Sequence, residues 1–292
     1  MKIVVTGATG FLGSRAAEMF EEHGHEVVRL ARPGGAERVG VGESRLVRRD
    51  AGDPAARELI VGCDAVLHFA GIPDPTRARR DPARAVRENV GATLSLLEGC
   101  LEHGAGLVYP STLRAAFTPP PDAYAISKRL GEDVCRLHLA RTLIVRFTSV
   151  YGPGQVAWEG ATGAIAAFAA RGLDREPIVI AGDPERRRDF VYVDDAVGAV
   201  EALLARDPWD TTVLVASGRA TSLRAAAELV RGAAGSDVEI ETPGGELPAG
   251  ENESYEAAPE APLPLNLPLD EGIRRYVAWL EKHPAAQGRA RA

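Results

Sequence analysis

The chain opens Met1-Lys2-Ile3-Val4-Val5-Thr6-Gly7-Ala8-Thr9-Gly10-Phe11-Leu12-Gly13. Ile3-Val4-Val5 reads as a buried parallel strand. It breaks into glycines at 7, 10 and 13, after which Leu12, Ala16, Met19 and Phe20 follow a helical period. Strand, glycine-rich turn and helix together form an anion cradle. Glycines let backbone N–H groups approach a phosphate, and the helix N-terminus adds favourable partial charge. The spacing is G-x-x-G-x-x-G, and a glycine triplet alone is also compatible with a tight strand–helix turn and nothing more. The choice between the two rests on residues far downstream.

Working outward, Glu26 to Leu30 reads as a second strand ending in the breaker cluster Ala31-Arg32-Pro33-Gly34-Gly35. Leu46-Val47 is a short third strand ending at Asp50, and Asp53-Pro54 opens a helix. Asp64 to Gly71 is the fourth strand and its turn, and a long helix is expected from Asp81 to His103. Leu107-Val108-Tyr109 is a fifth strand. Pro119-Pro120-Pro121 interrupts, and Asp122 caps a helix running to about Ala140, before a sixth strand at Leu143-Ile144-Val145. Strands alternating with helices imply right-handed crossovers and a parallel sheet covered on both faces. Beyond Tyr151 the rhythm loosens. One helix is expected near 160–171, a strand at Phe190 to Val193, a helix from Asp195 to Ala205, a proline- and glutamate-rich surface loop over 243–268, and a last helix from Leu269 to Lys282. The final ten residues read as disordered. The expected division is a dinucleotide-binding domain over 1–152, to which 189–216 returns, and a smaller lobe over 153–292.

The 292 residues are 45% hydrophobic and 26% charged, and a net charge of −7 argues against nucleic-acid or anionic-membrane partners. No apolar run approaches the roughly 18 residues of a membrane span, and no signal-peptide pattern precedes the first strand. Cys63, Cys100 and Cys135 sit in apolar contexts and read as buried thiols, which fits the cytosol. The six histidines are scattered without ligand spacing, so no metal is expected.

The decisive downstream residues are Tyr124-Ala125-Ile126-Ser127-Lys128. Positions i and i+4 share a helix face, so hydroxyl and ammonium should emerge side by side. The cation should then draw the phenol pKa down from about 10 towards neutrality and fit it for proton transfer. Ser111-Thr112, at the end of the fifth strand, supplies hydroxyls at the carboxyl edge of the sheet, where open α/β folds bind ligands. The bland alternative for the Tyr/Lys pair is a solvated helix face.

Together with His68-Phe69-Ala70-Gly71, Asn89 to Thr93, Arg146 to Gly154 and Arg188 to Asp195, these motifs give a chain that resembles extended short-chain dehydrogenases/reductases of the NAD-dependent epimerase/dehydratase group over about residues 1–235. The resemblance implies a Rossmann-type doubly wound sheet with a smaller C-terminal substrate-binding lobe, a nucleotide-sugar substrate and a homodimer built on the 81–103 and 122–140 helices. It makes Tyr124 the acid/base, Lys128 the partner that holds the nicotinamide ribose, and Thr112 the group that bonds the reacting oxygen. The cofactor would meet Gly7, Thr9, Gly10, Phe11, Leu12, Gly13, Arg32, Asp50, Ala51, Ala70, Gly71, Asn89, Tyr124, Lys128 and Tyr151. The substrate would meet Ser111, Thr112, Ser149 and Arg188, with Arg188 on its diphosphate. Asp194 and Asp195 read as caps of the following helix.

Several departures sharpen these expectations. The acid that accepts a bond from the ribose 2′-OH of NAD is absent after the second strand, where the chain reads Leu30-Ala31-Arg32. An arginine suits a 2′-phosphate, which favours NADPH over NAD, although an exposed loop arginine is the plain alternative. Thr112 is followed by Leu113-Arg114 in place of the acidic pair of the family's dehydratases, which argues against dehydration. Ser149 stands where the family's asparagine contacts the sugar nucleotide, and the Thr112–Tyr124 segment is shorter than usual. The reading is an NADPH-dependent ketoreductase of a nucleotide-linked keto-sugar. Its rivals are an NAD-dependent epimerase and a non-catalytic dinucleotide sensor.

Overall fold

Near-continuous Val, Ile and Leu runs form strands buried on both faces, and short polar connections send the chain back through helices each time. The computed structural model describes residues 1–34, 46–158, 163–207 and 209–284. The expected disorder of the chain end falls mainly outside these residues. The chain divides into two units, Met1–Phe147 with Val197–Leu214, and Thr148–Ala196 with Val215–Ala292.

The first unit holds β1 (Lys2–Thr6), β2 (Glu26–Ala31), β3 (Leu46–Arg48), β4 (Ala65–His68), β5 (Gly106–Thr112), β6 (Thr142–Phe147) and an edge strand, Thr211–Val215. The sheet order is Thr211–Val215, β6, β5, β4, β1, β2, β3. Every junction from β3 to β6 is parallel. This is the doubly wound Rossmann order, and its switch point lies between β1 and β4. The expected α/β fold class is thus the one observed. The helices are α1 (Phe11–Glu22), α2 (Pro75–Arg80), α3 (Pro82–Val86), α4 (Ala92–His103) and α5 (Ala123–Leu137). The helix expected over 81–103 is interrupted by one π-helical turn, Arg87–Gly91, which carries Asn89. Asp53, read as a helix opener, accepts from Ala55 N–H at 2.9 Å and starts the 3₁₀ helix Pro54–Ile60. Cys63, Cys100 and Cys135 are all buried, with free thiols.

The second unit contains β7 (Ser149–Tyr151), α6 (Ala164–Leu173), β8 (Ile178–Ala181), β9 (Arg187–Tyr192), the start of α7 (Val193–Leu204), the end of β10 (the edge strand Thr211–Val215), β11 (Ala220–Ser222), α8 (Leu223–Ala233), β12 (Ile240–Gly244) and α9 (Leu269–Lys282). Its sheets run β11-β9-β7 and β12-β8. The strand near 190 therefore pairs inside the second unit, and the segment that returns to the first begins at Val197. Asp195 does not act as a simple helix cap. Its carboxylate accepts three backbone N–H groups, from Leu265, Asn266 and Leu267 at 2.7 to 2.9 Å, and so fastens the end of the 243–268 loop. Asp189, one of the buried carboxylates, likewise accepts from Thr148, Ser217, Gly218 and Arg219. No described helix is long and apolar enough to cross a membrane.

At the switch point a buried polar chain sits under the glycine turn. Ala70 N–H donates to Thr6 Oγ1 at 3.1 Å, and Thr6 Oγ1 lies 2.8 Å from His68 Nδ1. His68 Nε2 lies 3.1 Å from Thr93 Oγ1, which spends its own proton on the Asn89 carbonyl at 2.9 Å. With that proton spent, Thr93 can only accept from His68, so the imidazole is the neutral Nε2–H tautomer and Thr6 donates to Nδ1. Burial, helped by the Lys128 charge, pushes the imidazole down from 6.5 to about 3. Between those values the unfolded chain binds a proton that the folded chain refuses. Stability is therefore full above the unfolded value and is lost as pH falls. Between about pH 6 and about pH 4, the unfolding free energy should fall with a slope about 1.4 kcal/mol per pH unit steeper in the wild type than in His68→Gln. Equal slopes in denaturant titrations would mean that the folded imidazole carries a charge.

Candidate active site

Gly7 has φ +65°, and a Cβ there would meet Phe69 C and Ala70 N at 2.7 Å. A Cβ on Gly13 would strike the Gly7 carbonyl, and one on Gly10 would lie 3.1 Å from it. The three glycines thus let the first turn pack directly on the turn after β4. Gly10 caps α1 without contributing a side chain, which leaves the N–H groups of the Phe11-Leu12-Gly13 turn facing outward from the cradle. Thr9, Phe11 and Leu12 are half-buried around it. A glycine turn against a helix N-terminus with no capping side chain fits the diphosphate of a dinucleotide.

Gly71 is forced by a different neighbour. Its φ is +137°, and a Cβ would run into Asn89 Oδ1. Asn89 is fully committed inside the protein. Oδ1 accepts from Ile72 N–H at 2.8 Å, while Nδ2 donates to the Ile72 carbonyl at 3.2 Å and to Ser127 Oγ at 2.9 Å. Asn89, expected beside the cofactor, uses its amide to staple the Ala70-Gly71 turn to α5. Ser127, not singled out from the sequence, completes the staple by donating to the Tyr124 carbonyl at 2.8 Å. Asp50 is exposed, with Oδ1 accepting from Gly52 N–H at 2.8 Å, and Ala51 is buried in the core of the first unit. Arg32 is 58% exposed and only 3.9 Å from Glu88.

At the end of β5, Thr112 Oγ1 accepts from Arg114 N–H at 3.3 Å, so its hydroxyl proton can be offered elsewhere. Ser111 does not share that position. Its hydroxyl donates to Glu132 Oε1 at 2.5 Å, within a buried cluster in which Arg146 and Arg136 also reach Glu132 at 2.6 to 2.9 Å. Burial alone would raise the Glu132 carboxyl, but the bonds from Arg146, Ser111 and Arg136 outweigh it and hold it low. Ser111, expected to meet substrate, belongs to the clamp that seats α5 on β5 and β6, with its hydroxyl proton spent on Glu132.

Tyr124 packs against Ile72, Ala78 and Ala85. Lys128 shares its helix, as the spacing requires, but its Nζ donates to the Pro110 carbonyl at 2.9 Å and lies 5.0 Å from the centroid of the Tyr109 ring. Periodicity sets a shared face; it does not set a rotamer, and a buried ammonium seeks an oxygen. Burial lowers Lys128 to about 8. Tyr124 moves opposite to expectation. Burial pushes its phenol well above the ordinary range; the charge of Arg114 works against that, and Asp122 and Asp74 reinforce it.

The remaining residues expected at the site lie on the second unit. Ser149 opens β7 opposite Phe190, and the Tyr151 ring is buried in that unit's core, edge-on to Phe190, Tyr192 and Tyr276. Arg188 donates to the Glu251 carbonyl at 3.0 Å and to that of Glu253, with its guanidinium 4.7 Å from the Tyr255 ring centroid. Tyr151 is thus a core aromatic in its own unit, and the Arg188 guanidinium is bound by the 251–255 loop. Among the described residues, no group of three His, Cys, Asp or Glu side chains is arranged to hold a metal.

The profile of the NAD-dependent epimerase/dehydratase family matches residues 3–215. A dTDP-4-dehydro-6-deoxy-D-allose reductase of Streptomyces bikiniensis is 29% identical over 69% of this chain and 72% of its own. A putative UDP-glucose 4-epimerase of Methanocaldococcus jannaschii is 26% identical over 96% of this chain and 99% of its own. The crystal structure of a Thermus thermophilus UDP-glucose 4-epimerase in complex with NAD superposes with a TM-score of 0.83 at 26% identity, covering 97% of this chain and 99% of that one. With the glycine cradle, the switch-point site and a family match spanning most of the chain, the protein belongs to the NAD-dependent epimerase/dehydratase family of extended short-chain dehydrogenases/reductases.

Proposed function

We propose that this protein is an NADPH-dependent ketoreductase acting on a nucleotide-linked keto-sugar, with a 4-keto-6-deoxyhexose as the first candidate. The observation that carries the reading is the end of β2. Ala31 and Arg32 stand where an acid would hold a free 2′-OH, and the β2–β3 register sets Arg48 opposite Ala31, with Arg49 N–H bonded to the Ala31 carbonyl at 2.8 Å. Arginines gathered at this strand end suit a 2′-phosphate. The similarity to a reductase of a dTDP-linked keto-deoxysugar supports the same reading.

The glycine turn and the arginines after β2 would hold NADPH, which would supply a hydride to the carbonyl carbon. Tyr124 gives its hydroxyl proton to the developing alkoxide, and a phenol held protonated at neutral pH begins in the state reduction needs. Thr112 donates the proton left over from its bond to Arg114 towards the same oxygen. Lys128, held by the Pro110 carbonyl, keeps a cation at the helix face that carries Tyr124. Arg188 is the arginine assigned to the substrate diphosphate, a role that would require it to leave the Glu251 and Glu253 carbonyls. A second reading, an NAD-dependent epimerase, is favoured by the near-complete coverage of the archaeal epimerase.

Exposed Leu94 and Leu101 on α4, and Ile126, Leu130 and Leu137 on α5, form apolar stripes that fit a homodimer through these helices. In that case Leu94→Glu/Leu130→Glu runs as a monomer in sedimentation velocity, and a monomeric wild type removes the dimer from the proposal. NADPH should bind at least tenfold more tightly than NADH, and Arg32→Ala should lose that preference, a difference of about 1.4 kcal/mol in calorimetric titration. Stoichiometric NAD released on denaturation, with no preference for the 2′-phosphate, moves the assignment to the epimerase. Tyr124→Phe should lower kcat for NADPH-linked reduction by roughly 10²–10⁴ while leaving cofactor affinity intact. Undiminished turnover would remove Tyr124 from the mechanism.

A further inference from the structure

Thr112 and Tyr124 must hold a fixed separation to act on one oxygen, yet the chain between them is short and irregular. The single 3₁₀ turn Leu113–Ala116 follows Thr112, and residues 117–121 have no regular structure before α5 begins. Two arginines bridge the gap. The Arg114 Nη2 forms an ion pair with Asp122 Oδ2, and both side chains are largely buried, 14% and 10% exposed. Asp122 Oδ1 meanwhile caps α5 by accepting from Ala125 N–H at 2.9 Å. From the other side, Arg129 Nη1 on α5 donates to the Ala115 carbonyl at 3.1 Å. One carboxylate thus joins the turn that follows Thr112 to the first turn of the helix that carries Tyr124.

The charges that act on the Tyr124 phenol sit on three elements next to its helix turn. Arg114 lies on the turn after β5. Asp122 is the cap of α5, and Asp74 is the cap of α2, with Arg77 3.3 Å from its Oδ2. The Tyr109 phenol on β5 senses Tyr124 in turn, and Lys128 on the same helix is bound to the Pro110 carbonyl. Arg114 is the cation that acts on the phenol against two carboxylates.

We propose that Arg114 is a positioning residue: its ion pair with Asp122 fixes Tyr124 relative to Thr112 and holds a cation at the N-terminal turn of the helix that carries the phenol. The importance of this pair to turnover rests on Tyr124 being the proton donor, but its effect on the phenol can be read without any substrate. A purely structural pair behaves alike whichever partner is removed. An electrostatic one shifts the phenol in opposite directions, because Arg114→Met deletes a cation and Asp122→Asn an anion.

The test uses full-length protein labelled with difluorotyrosine, whose phenol is a markedly stronger acid, and follows each ring by fluorine NMR against pH. The Tyr124 resonance is identified by its loss in Tyr124→Phe. Arg114→Met should move the Tyr124 titration up by roughly one pH unit, and Asp122→Asn should move it down by a similar amount. Arg114→Lys should keep it near the wild-type value, and the thermal midpoints of the two uncharged variants should fall together. Shifts of the same sign, or no shift in either variant, overturn the inference. If Arg114→Met does not fold, Arg114→Gln, which also removes the cation, is read in its place against the same expected rise. Full activity in Tyr124→Phe strikes the proposed function instead and leaves these signs untouched.

Discussion

The site depends on a contact between two pieces of backbone. At the switch point the turn after β1 lies directly on the turn after β4, with no side chain between Gly7 and Phe69–Ala70. Packing at that distance is possible only without a Cβ, and the left-handed φ of Gly7 adds a second reason for glycine. Thr6, neutral His68 and Thr93 satisfy the polar groups beneath the contact, so that neither turn pays for a buried unpaired donor. The outward-facing helix N-terminus is then free to meet an anion. Rigidity below and open N–H groups above are two results of one arrangement.

A second layer of constraints seats the helix that carries the chemistry. Glu132 ties α5 to the ends of β5 and β6 through Ser111 and Arg146, Asn89 ties it to the turn at Gly71, and the Arg114–Asp122 pair ties its N-terminus to the turn after Thr112. Buried ion pairs are weak contributors to net stability, since desolvation offsets attraction. What they supply here is geometry: a charge with one good partner leaves little freedom of register. Removing Arg146, which holds both oxygens of Glu132, would leave a buried carboxylate with one hydroxyl and one half-exposed arginine, which is why these bonds act as locators.

Much of this was legible along the chain. Uninterrupted apolar triplets between glycine breaks mark buried parallel strands, and G-x-x-G-x-x-G after such a strand marks an anion cradle; the structure has both. Tyr-x-x-x-Lys at helical spacing likewise lies on α5. Ser111, Asn89 and Tyr151 share one form: residue type and place suggest ligand contacts, and in the structure each side chain has partners inside the fold. The helix Leu223–Ala233 buries Leu223, Ala226, Ala227 and Val230 at i, i+3, i+4 and i+7, a period legible in the sequence, whereas the strand Ala220–Ser222 is too short to show one.

The sequence by itself determined the order of strands and helices, the turn that must be glycine, and which residues share a face, since these follow from local period and local sterics. Only the tertiary structure decided where each polar group finds its partner. Lys128 turns to the Pro110 carbonyl, the Tyr124 phenol is raised where a neighbouring lysine was expected to lower it, and Arg114, read from the sequence only as the absence of an acid, pairs with the cap of the helix that carries that phenol. Burial and long-range pairing set those outcomes. Desolvation depends on everything that surrounds a group, and no spacing along the chain encodes it.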